Sequence, residues 1–230
     1  MIHQMIFAAP KPGMSDQEFC DYWLDVHAVK FASKIPQIRR YKIDTRVPFG
    51  AADGPPWQGV GEIWLANDED EIASVQTPEF LEGARADEPN WAAFWMTVVL
   101  DTDAHVLVEP PAQPTSGAAV KMIRLVKRKE GVGREEFTQR SLGLYADLVG
   151  RVPGLRGYLQ NHTRDTLYTF GEAVLDCAHQ LWFDDVDALS TALGSAEFQA
   201  AERELSSFVE KRYLHEMVVN EHWVIGPDSR

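Results

Sequence analysis

The sequence predicts an α+β fold in which two ferredoxin-like βαββαβ repeats form one pseudo-dimeric α/β barrel. Three observations predict it. The chain matches itself at a shift of about 118 residues, which is typical of a duplicated unit. Each half shows the same order of strand and helix patterns. A ferredoxin-like sheet carries helices on one face only, so packing the two antiparallel sheets together would cover the other face.

The internal repeat rests on matched residues over almost the whole of both halves. With two small slips in the alignment, the matched pairs are Gly13/Gly131, Glu18/Glu136, Phe19/Phe137, Pro36/Pro153, Arg39/Arg156, Tyr41/Tyr158, Trp64/Trp182, Glu79/Glu197, Phe80/Phe198, His105/His222 and Pro110/Pro227. The stretch between the copies is rich in Pro and small residues, which is typical of a linker. We therefore expect a first repeat over 1–110, a linker over 111–117 and a second repeat over 118–230.

Hydrophobic patterns predict the same elements in both repeats. The strands expected in the first repeat are 2–8, 39–46, 60–66 and 97–108. Its first helix begins at Ser15, which forms a capping-box pattern with Glu18, and carries an apolar stripe as far as Phe31. The acidic run 68–71 begins its second helix. In the second repeat we expect strands over 120–126, 157–163, 178–183 and 216–225, and helices over 134–149 and 187–208.

The composition narrows the classes of partner. The formal net charge is −13, from 22 Lys and Arg against 35 Asp and Glu. We expect neither nucleic acid nor a membrane surface as a partner, because both are bound through clustered basic residues. No apolar run approaches the roughly 18 residues of a spanning helix. Cys20 and Cys177 lack metal-ligand spacing, so we expect a soluble cytoplasmic protein with reduced thiols.

Several short motifs, in their order and spacing, resemble one known family. They are Lys11-Pro-Gly-Met-Ser15-x-x-Glu18-Phe19-x-x-Tyr22-Trp23-x-x-x-His27-Ala28, Ile35-Pro36-x-x-Arg39-Arg40-Tyr41, Gly59-Val60-Gly61-Glu62-Ile63-Trp64-Leu65, Thr77-Pro78-Glu79-Phe80 and Asp87-Glu88-Pro89. The first repeat resembles the EthD-type members of the dimeric α/β-barrel superfamily over essentially its whole length, and the second repeat resembles them more loosely. The resemblance implies dehydratases or decarboxylases of aromatic polyketides. The wider superfamily adds cyclases, isomerases, cofactor-free monooxygenases and haem-handling enzymes.

His27 is the strongest candidate for chemistry. It follows Trp23 by four residues and Phe19 by eight, which places it on the stripe of the helix that faces the sheet. In this architecture a small-molecule pocket would open between helix and sheet, and an imidazole there suits general acid–base catalysis. The alternatives are a core histidine satisfied by one hydrogen bond, or a haem ligand.

Glu62 and Tyr41 are the other predicted catalytic residues. A carboxylate on an apolar strand face needs a partner. Glu62 therefore either orients His27, acts as a base with a raised pKa, or pairs with Arg39 or Lys30. Tyr41 either donates its hydroxyl to a substrate carbonyl or enolate, or has a packing role like its counterpart in the second repeat.

Four aromatic side chains and one acid are predicted to contact a substrate: Trp23, Phe7, Trp64, Phe31 and Asp87. Such aromatic richness suits a planar apolar ligand or an ordinary core. Asp87 and Glu88 either close the pocket or belong to a solvated loop. We expect no metal site, because His3 and His105 have no further ligands at metal-binding spacing. No cofactor is expected either.

The second repeat differs at the predicted site. The replacements are Trp23 by Ser141, His27 by Tyr145 and Glu62 by Gln180. The second repeat has thus lost the ionisable groups proposed for acid–base catalysis. A second pocket lined by Tyr145 and Tyr158 is the alternative. We expect the first repeat to carry the activity.

These features predict a cofactor-independent lyase, a dehydratase or a related elimination or cyclisation catalyst. Its substrate would be a hydrophobic aromatic or polyketide-like carbonyl compound, and its mechanism would be His-based general acid–base catalysis. A non-catalytic small-molecule-binding or accessory protein and a cofactor-free monooxygenase are the alternatives. The expected partner is a small hydrophobic organic ligand. A second copy of the chain, giving a homodimer of pseudo-dimers, is a further possible partner.

Overall fold

The strands confirm the predicted fold class. A computed structural model describes residues 1–50, 54–111, 119–169, 171–227 and 229. Its strands are β1 (Ile2–Ala8), β2 (Arg40–Arg46), β3 (Gly59–Leu65), β4 (Val98–Val108), β5 (Val120–Val126), β6 (Gly157–Thr163), β7 (Cys177–Phe183) and β8 (His215–Ile225). They follow the order β1-β3-β2-β8-β5-β7-β6-β4 and close into a barrel. The pairs β1–β3, β1–β4, β2–β3, β5–β7, β5–β8 and β6–β7 are antiparallel.

The helices are more divided than their apolar patterns predict. They are α1 (Asp16–Tyr22), α2 (Ala28–Lys30), α3 (Asp68–Ser74), α4 (Arg85–Asp87), α5 (Arg134–Arg140), α6 (Ala146–Val149), α7 (Val186–Leu193) and α8 (Ala196–Phe208). π-Helical turns over Trp23–His27, Glu79–Ala84 and Ser141–Tyr145 precede α2, α4 and α6. The prediction of one helix over 187–208 is wrong, because Gly194 ends α7 and the Ser195 hydroxyl caps α8.

Local geometry repeats where the sequence repeats. Gly13 and Gly131 have φ angles of 87° and 86°, in the left-handed region that glycine tolerates best. The Arg39 amide donates to the Trp64 carbonyl at 2.8 Å, and their matched residues Arg156 and Trp182 make the same bond at 2.8 Å. The π-helical turns Trp23–His27 and Ser141–Tyr145 also occur at matched positions, whereas Glu79–Ala84 is matched by part of α8. Ser15 and Glu18 form the predicted capping box.

Contacts divide the described chain into two compact units. Unit 1 comprises Met1–Arg46, Pro55–Asp103 and Asn220–Arg230, and unit 2 comprises Val47–Gly54 and Ala104–Val219. Each unit has its own apolar core, with Phe19 and Trp23 in unit 1 and Phe137 in unit 2. The predicted linker 111–117 lies outside the described residues except for Pro111. In the described part of the chain, every helix is too short or too polar to cross a membrane.

Candidate active site

Unit 1 contains a cavity of about 110 Å³ between its sheet and its helices. The walls are mostly apolar. The polar lining residues are Gln4, His27, Tyr41, Ser74, Glu88 and Thr97. An engineered apolar cavity of roughly 150 Å³ binds benzene, so this one has about the size of a single small ring. A porphyrin would not fit between the side chains as they stand, which argues against haem ligation here.

Two glycines in β3 make room for an indole ring on the sheet. A Cβ atom built on Gly61 would lie 3.1 Å from Trp23 Cζ2, and one on Gly59 would lie 2.8 Å from Trp23 Cζ3. Larger side chains at these positions would therefore displace the Trp23 ring. Trp23 lines the cavity, and its Nε1 donates to the Tyr41 hydroxyl at 3.1 Å.

His27 lines the cavity and forms a buried pair with Asp87, which does not line it, so the predicted contact of Asp87 with a molecule bound there is wrong. His27 Nδ1 lies 2.9 Å from Asp87 Oδ2. The other carboxylate oxygen, Oδ1, accepts hydrogen bonds from the Tyr22 hydroxyl at 2.8 Å and from Asn90 Nδ2 at 3.0 Å. These donors fix the carboxylate, and the carboxylate in turn fixes the imidazole.

The proton on Nδ1 can be assigned from its two neighbours. Trp91 Nε1 also lies within hydrogen-bonding distance of His27 Nδ1, at 3.1 Å. Nδ1 cannot both accept from Trp91 and donate to Asp87. The charge-assisted bond to the ionised carboxylate is shorter and stronger, so we place the proton on Nδ1. Among the described residues no group hydrogen-bonds to Nε2, which leaves Nε2 as the basic nitrogen for a molecule in the cavity.

Burial sets the protonation of the pair. Desolvation lowers the pKa of His27 below its usual value, and the hydrogen bond and charge of Asp87 only partly oppose this. Desolvation raises the pKa of Asp87, but the hydrogen bonds from Asn90, His27 and Tyr22 outweigh it and leave that pKa lower than usual. At neutral pH the pair is therefore a neutral imidazole beside a carboxylate. That is the state a general base requires.

Tyr41 supplies a hydrogen-bond donor on the same cavity. Its side chain is buried, and desolvation raises the pKa of the hydroxyl far above its usual value. The hydroxyl oxygen accepts from Trp23, so its own proton can be donated to a ligand. Trp91 packs at the same place, with its ring 4.6 Å from His27 and 4.8 Å from Trp23.

Three predicted site residues lie on the opposite face of the sheet. The Glu62 carboxylate is 2.6 Å from His3 Nε2 and 3.4 Å from Lys42 Nζ. The prediction that it orients His27 is therefore wrong, because strand alternation turns Glu62 away from the face of Gly61 that lines the cavity. The pairing expected with Arg39 is wrong as well, since Arg39 pairs with Asp70 at 3.3 Å.

Trp64 and Phe7 share that opposite face. Trp64 stacks on His3 at 4.4 Å, and Phe7 packs 5.5 Å from Trp57. Neither lines the cavity, so their predicted contact with a molecule bound there is wrong. Phe31 does not line it either but packs on the wall behind His27, with ring centres 6.4 Å apart. The solvated-loop alternative for Asp87 is also wrong, because Asp87 is 5% exposed.

Acidic side chains on this opposite face also lie close together. Ligand atoms of Asp44, Glu62 and Glu221 come within 4.8 Å of one another. The Lys42 ammonium contacts both Glu62 and Glu221, so a protein cation already offsets part of their charge. The group is separate from the cavity.

Sequence reasoning missed Trp91 and Tyr22 as parts of the site, and it also missed Gly61. Trp91 and Tyr22 act through neighbours that only the folded chain brings together. Gly61 carried a usable signal, because a glycine pair in an apolar strand indicates close approach of another group. The cavity shows that this group is Trp23.

A protein-family model matches both repeats of the chain. The model described as the EthD domain matches residues 11–94 and again residues 129–212, which together exceed half of the chain. The chain belongs to the EthD domain family. It carries two copies of the domain, which confirms the resemblance seen in the sequence.

Solved structures with the same fold are distant in sequence. An anthrone oxidase-like protein is 11% identical with a TM-score of 0.66, and the match covers 98% of this chain and 94% of that one. A proposed monooxygenase from Lactobacillus acidophilus NCFM is 12% identical, with a TM-score of 0.56 and coverage of 98% and 96%. A proposed chlorite dismutase is 10% identical, with a TM-score of 0.55 and coverage of 96% and 94%. No curated protein matches the chain significantly.

Proposed function

We propose that the first repeat catalyses proton abstraction from a small aromatic carbonyl compound, followed by elimination of water, without a cofactor. One observation carries the proposal: the His27 ring is tied to Asp87 through Nδ1, which leaves Nε2 for the cavity that the Tyr41 hydroxyl also lines. A base and a hydrogen-bond donor in one apolar cavity are what enolisation requires.

The reaction follows from these two groups. Nε2 of neutral His27 takes a proton from the carbon next to the substrate carbonyl, and the electron pair moves onto the carbonyl oxygen. Tyr41 donates a hydrogen bond to that oxygen as its negative charge develops. When the enolate collapses, the C–O bond of a β-hydroxyl group breaks. The leaving oxygen takes the proton back from His27 and departs as water.

Asp87 acts on His27 and not on the substrate. Its carboxylate holds the tautomer in which Nε2 is basic, and it stabilises the imidazolium that exists between the two proton transfers. Tyr22 and Asn90 hold the carboxylate in place through Oδ1. This makes Asp87 a positioning residue of the proposed reaction.

The cavity limits the substrate. Its volume of about 110 Å³ and its apolar wall suit a substrate built on a single small ring. The Trp23 and Trp91 rings, whose centres lie 4.8 Å apart, form part of this apolar wall.

Cofactor-free oxygenation is the second candidate. It begins with the same proton abstraction, after which the carbanion would reduce molecular oxygen instead of expelling a hydroxyl group. This candidate is included because two structures of the same fold are named as a proposed monooxygenase and an anthrone oxidase-like protein. Their low identity supports the shared fold alone.

A single probe distinguishes these candidates. 4-Hydroxy-4-phenylbutan-2-one in D₂O under nitrogen should gain deuterium next to its carbonyl and lose water to give the conjugated enone. Deuterium uptake without enone, together with oxygen consumption in air, would favour oxygenation. Binding of the ketone with neither deuterium uptake nor enone formation would contradict both candidates and identify a binding protein.

A further inference from the structure

The two repeats differ at one cross-strand pair that faces the helices. In the first repeat Ile6 and Gly61 are partners across β1 and β3, and both line the cavity. A shift of about 118 residues places Arg124 and His179 at the matched positions. These two residues are partners across β5 and β7. An isoleucine and a glycine are thus replaced by an arginine and a histidine.

Arg124 fills the space beside its strand with a buried cation. It is 1% exposed, and its Nη1 lies 3.1 Å from the Tyr145 hydroxyl and 2.6 Å from Glu202 Oε1. Its Nε donates to Glu216 at 2.7 Å. The repeat matches Tyr145 to His27 and Glu202 to Ala84, and both of these first-repeat residues line the cavity. The positions that open the first cavity therefore carry larger, interacting side chains in unit 2.

His179 completes this cluster. It is fully buried, its ring lies 5.1 Å from the Tyr145 ring, and its Nε2 is 3.4 Å from Ser141 Oγ. Arg124 is buried while its partners Glu202 and Glu216 are part-exposed, so separating them would leave the arginine charge buried and uncompensated, which is destabilising. An apolar ligand could enter only by separating Arg124 from its carboxylates. The cluster is therefore held closed by electrostatics as well as by packing.

We propose that Arg124, Tyr145, His179 and Glu202 form a plug that closes the second repeat to ligands, so that each chain binds one apolar molecule, in the first repeat. The identities at the matched pairs Ile6/Arg124 and Ala84/Glu202 decide whether a repeat has a cavity. This inference rests on the first-repeat cavity of the proposed function being a ligand site, but not on the reaction proposed there.

Xenon tests the plug, because it enters dry apolar cavities without needing a particular substrate. Crystals of the parent chain under xenon pressure should show a xenon atom beside Trp23 and Trp91, and none beside Tyr145. The triple variant Arg124→Ile/His179→Gly/Glu202→Ala should gain a second xenon atom beside Tyr145. Xenon beside Tyr145 in the parent, or a folded triple variant without it, would overturn the proposal.

The reciprocal variant keeps the test decisive if the triple variant does not fold. Ile6→Arg/Ala84→Glu should fold, as judged by circular dichroism, and lose the xenon atom beside Trp23. Retention of that atom would overturn the proposal. Absence of xenon from both repeats of the parent would overturn the cavity and the plug together. Failure of the proposed reaction would show only as absent deuterium uptake, with the xenon result unchanged.

Discussion

His27 Nδ1 lies 2.9 Å from Asp87 Oδ2, although 60 residues separate the two in the chain. The contact joins the π-helical turn after α1 to the end of α4. It gives one histidine a defined tautomer inside an apolar wall. The acid–base chemistry proposed for the chain depends on this pair more than on any other contact.

Replacing Asp87 with Asn should lower the pKa of His27 further. The carboxylate is the group that raises this pKa against the effect of burial, and an amide carries no charge. We also expect deuterium uptake by the ketone probe to fall by at least about tenfold, as for other partners that orient a functional histidine. An NMR titration of His27 measures the first effect. Glu62→Gln is the matched control, and an equal shift of the His27 pKa in that variant would contradict the assignment.

Tyr41→Phe removes the hydroxyl group but keeps the aromatic ring, so it tests the role of the hydroxyl alone. The loss leaves Trp23 Nε1 buried without its acceptor, which should cost about 1–3 kcal/mol of unfolding free energy. We expect deuterium uptake to fall by about 10²-fold, since one enolate donor is removed. Urea unfolding and the exchange rate are measured on the same sample. Tyr158→Phe in the second repeat should leave the rate unchanged, and a comparable loss there would refute a specific role for Tyr41.

Gly61→Ala should disturb the cavity by displacing the Trp23 ring. Its Cβ would lie 3.1 Å from the Trp23 ring, so the indole has to move into the cavity. Overpacking of this kind costs about 1–3 kcal/mol, and we expect a lower Tm together with weaker xenon binding. Gly133→Ala is the control, because nothing lies within 4 Å of a Cβ there. A Tm for Gly61→Ala equal to that of the control would show that Trp23 does not need the glycine.

The pH dependence of the rate should follow neutral His27. Because burial lowers its pKa below the ordinary 6.5, the deuterium uptake rate should rise with pH through that lower value and level off near and above 6.5. The same shift makes the contribution of His27 to stability complete above the unfolded-state pKa and lost as the pH falls through the folded-state pKa. Exchange rates measured between about pH 5 and 8 check this. A rate that falls as the pH rises through this range would mean that the imidazolium acts as an acid.

The fold was largely predictable because its signals are local and repeated. A short apolar segment predicted β1, and the repeat predicted β5 and β6, each with the observed bounds; the Ser15 capping pattern placed the start of α1. The interruption between α7 and α8 was missed because the apolar stripe continues across Gly194. A π-helical turn leaves no comparable mark in the apolar spacing.

The site was predictable only in part. His27, Trp23 and Tyr41 were found because each lies on a strand or helix face that the sequence pattern identifies. Asp87 was named as a contact, but its pairing with His27 depends on how the segment after α3 packs against the helix. The choice of Glu62 as the orienting carboxylate failed because strand alternation puts it on the other face of β3. Periodicity identifies faces, and tertiary packing decides which groups meet.

The central claim is that Nε2 of His27 abstracts the proton. The most direct measurement is the rate of deuterium uptake into 4-hydroxy-4-phenylbutan-2-one, compared between the parent chain and His27→Gln under nitrogen. Xenon binding beside Trp23 in the variant would show that the cavity is intact. We predict a loss of about 10²- to 10⁴-fold, the usual contribution of a general base. A His27→Gln rate within a few-fold of the parent rate would contradict the account.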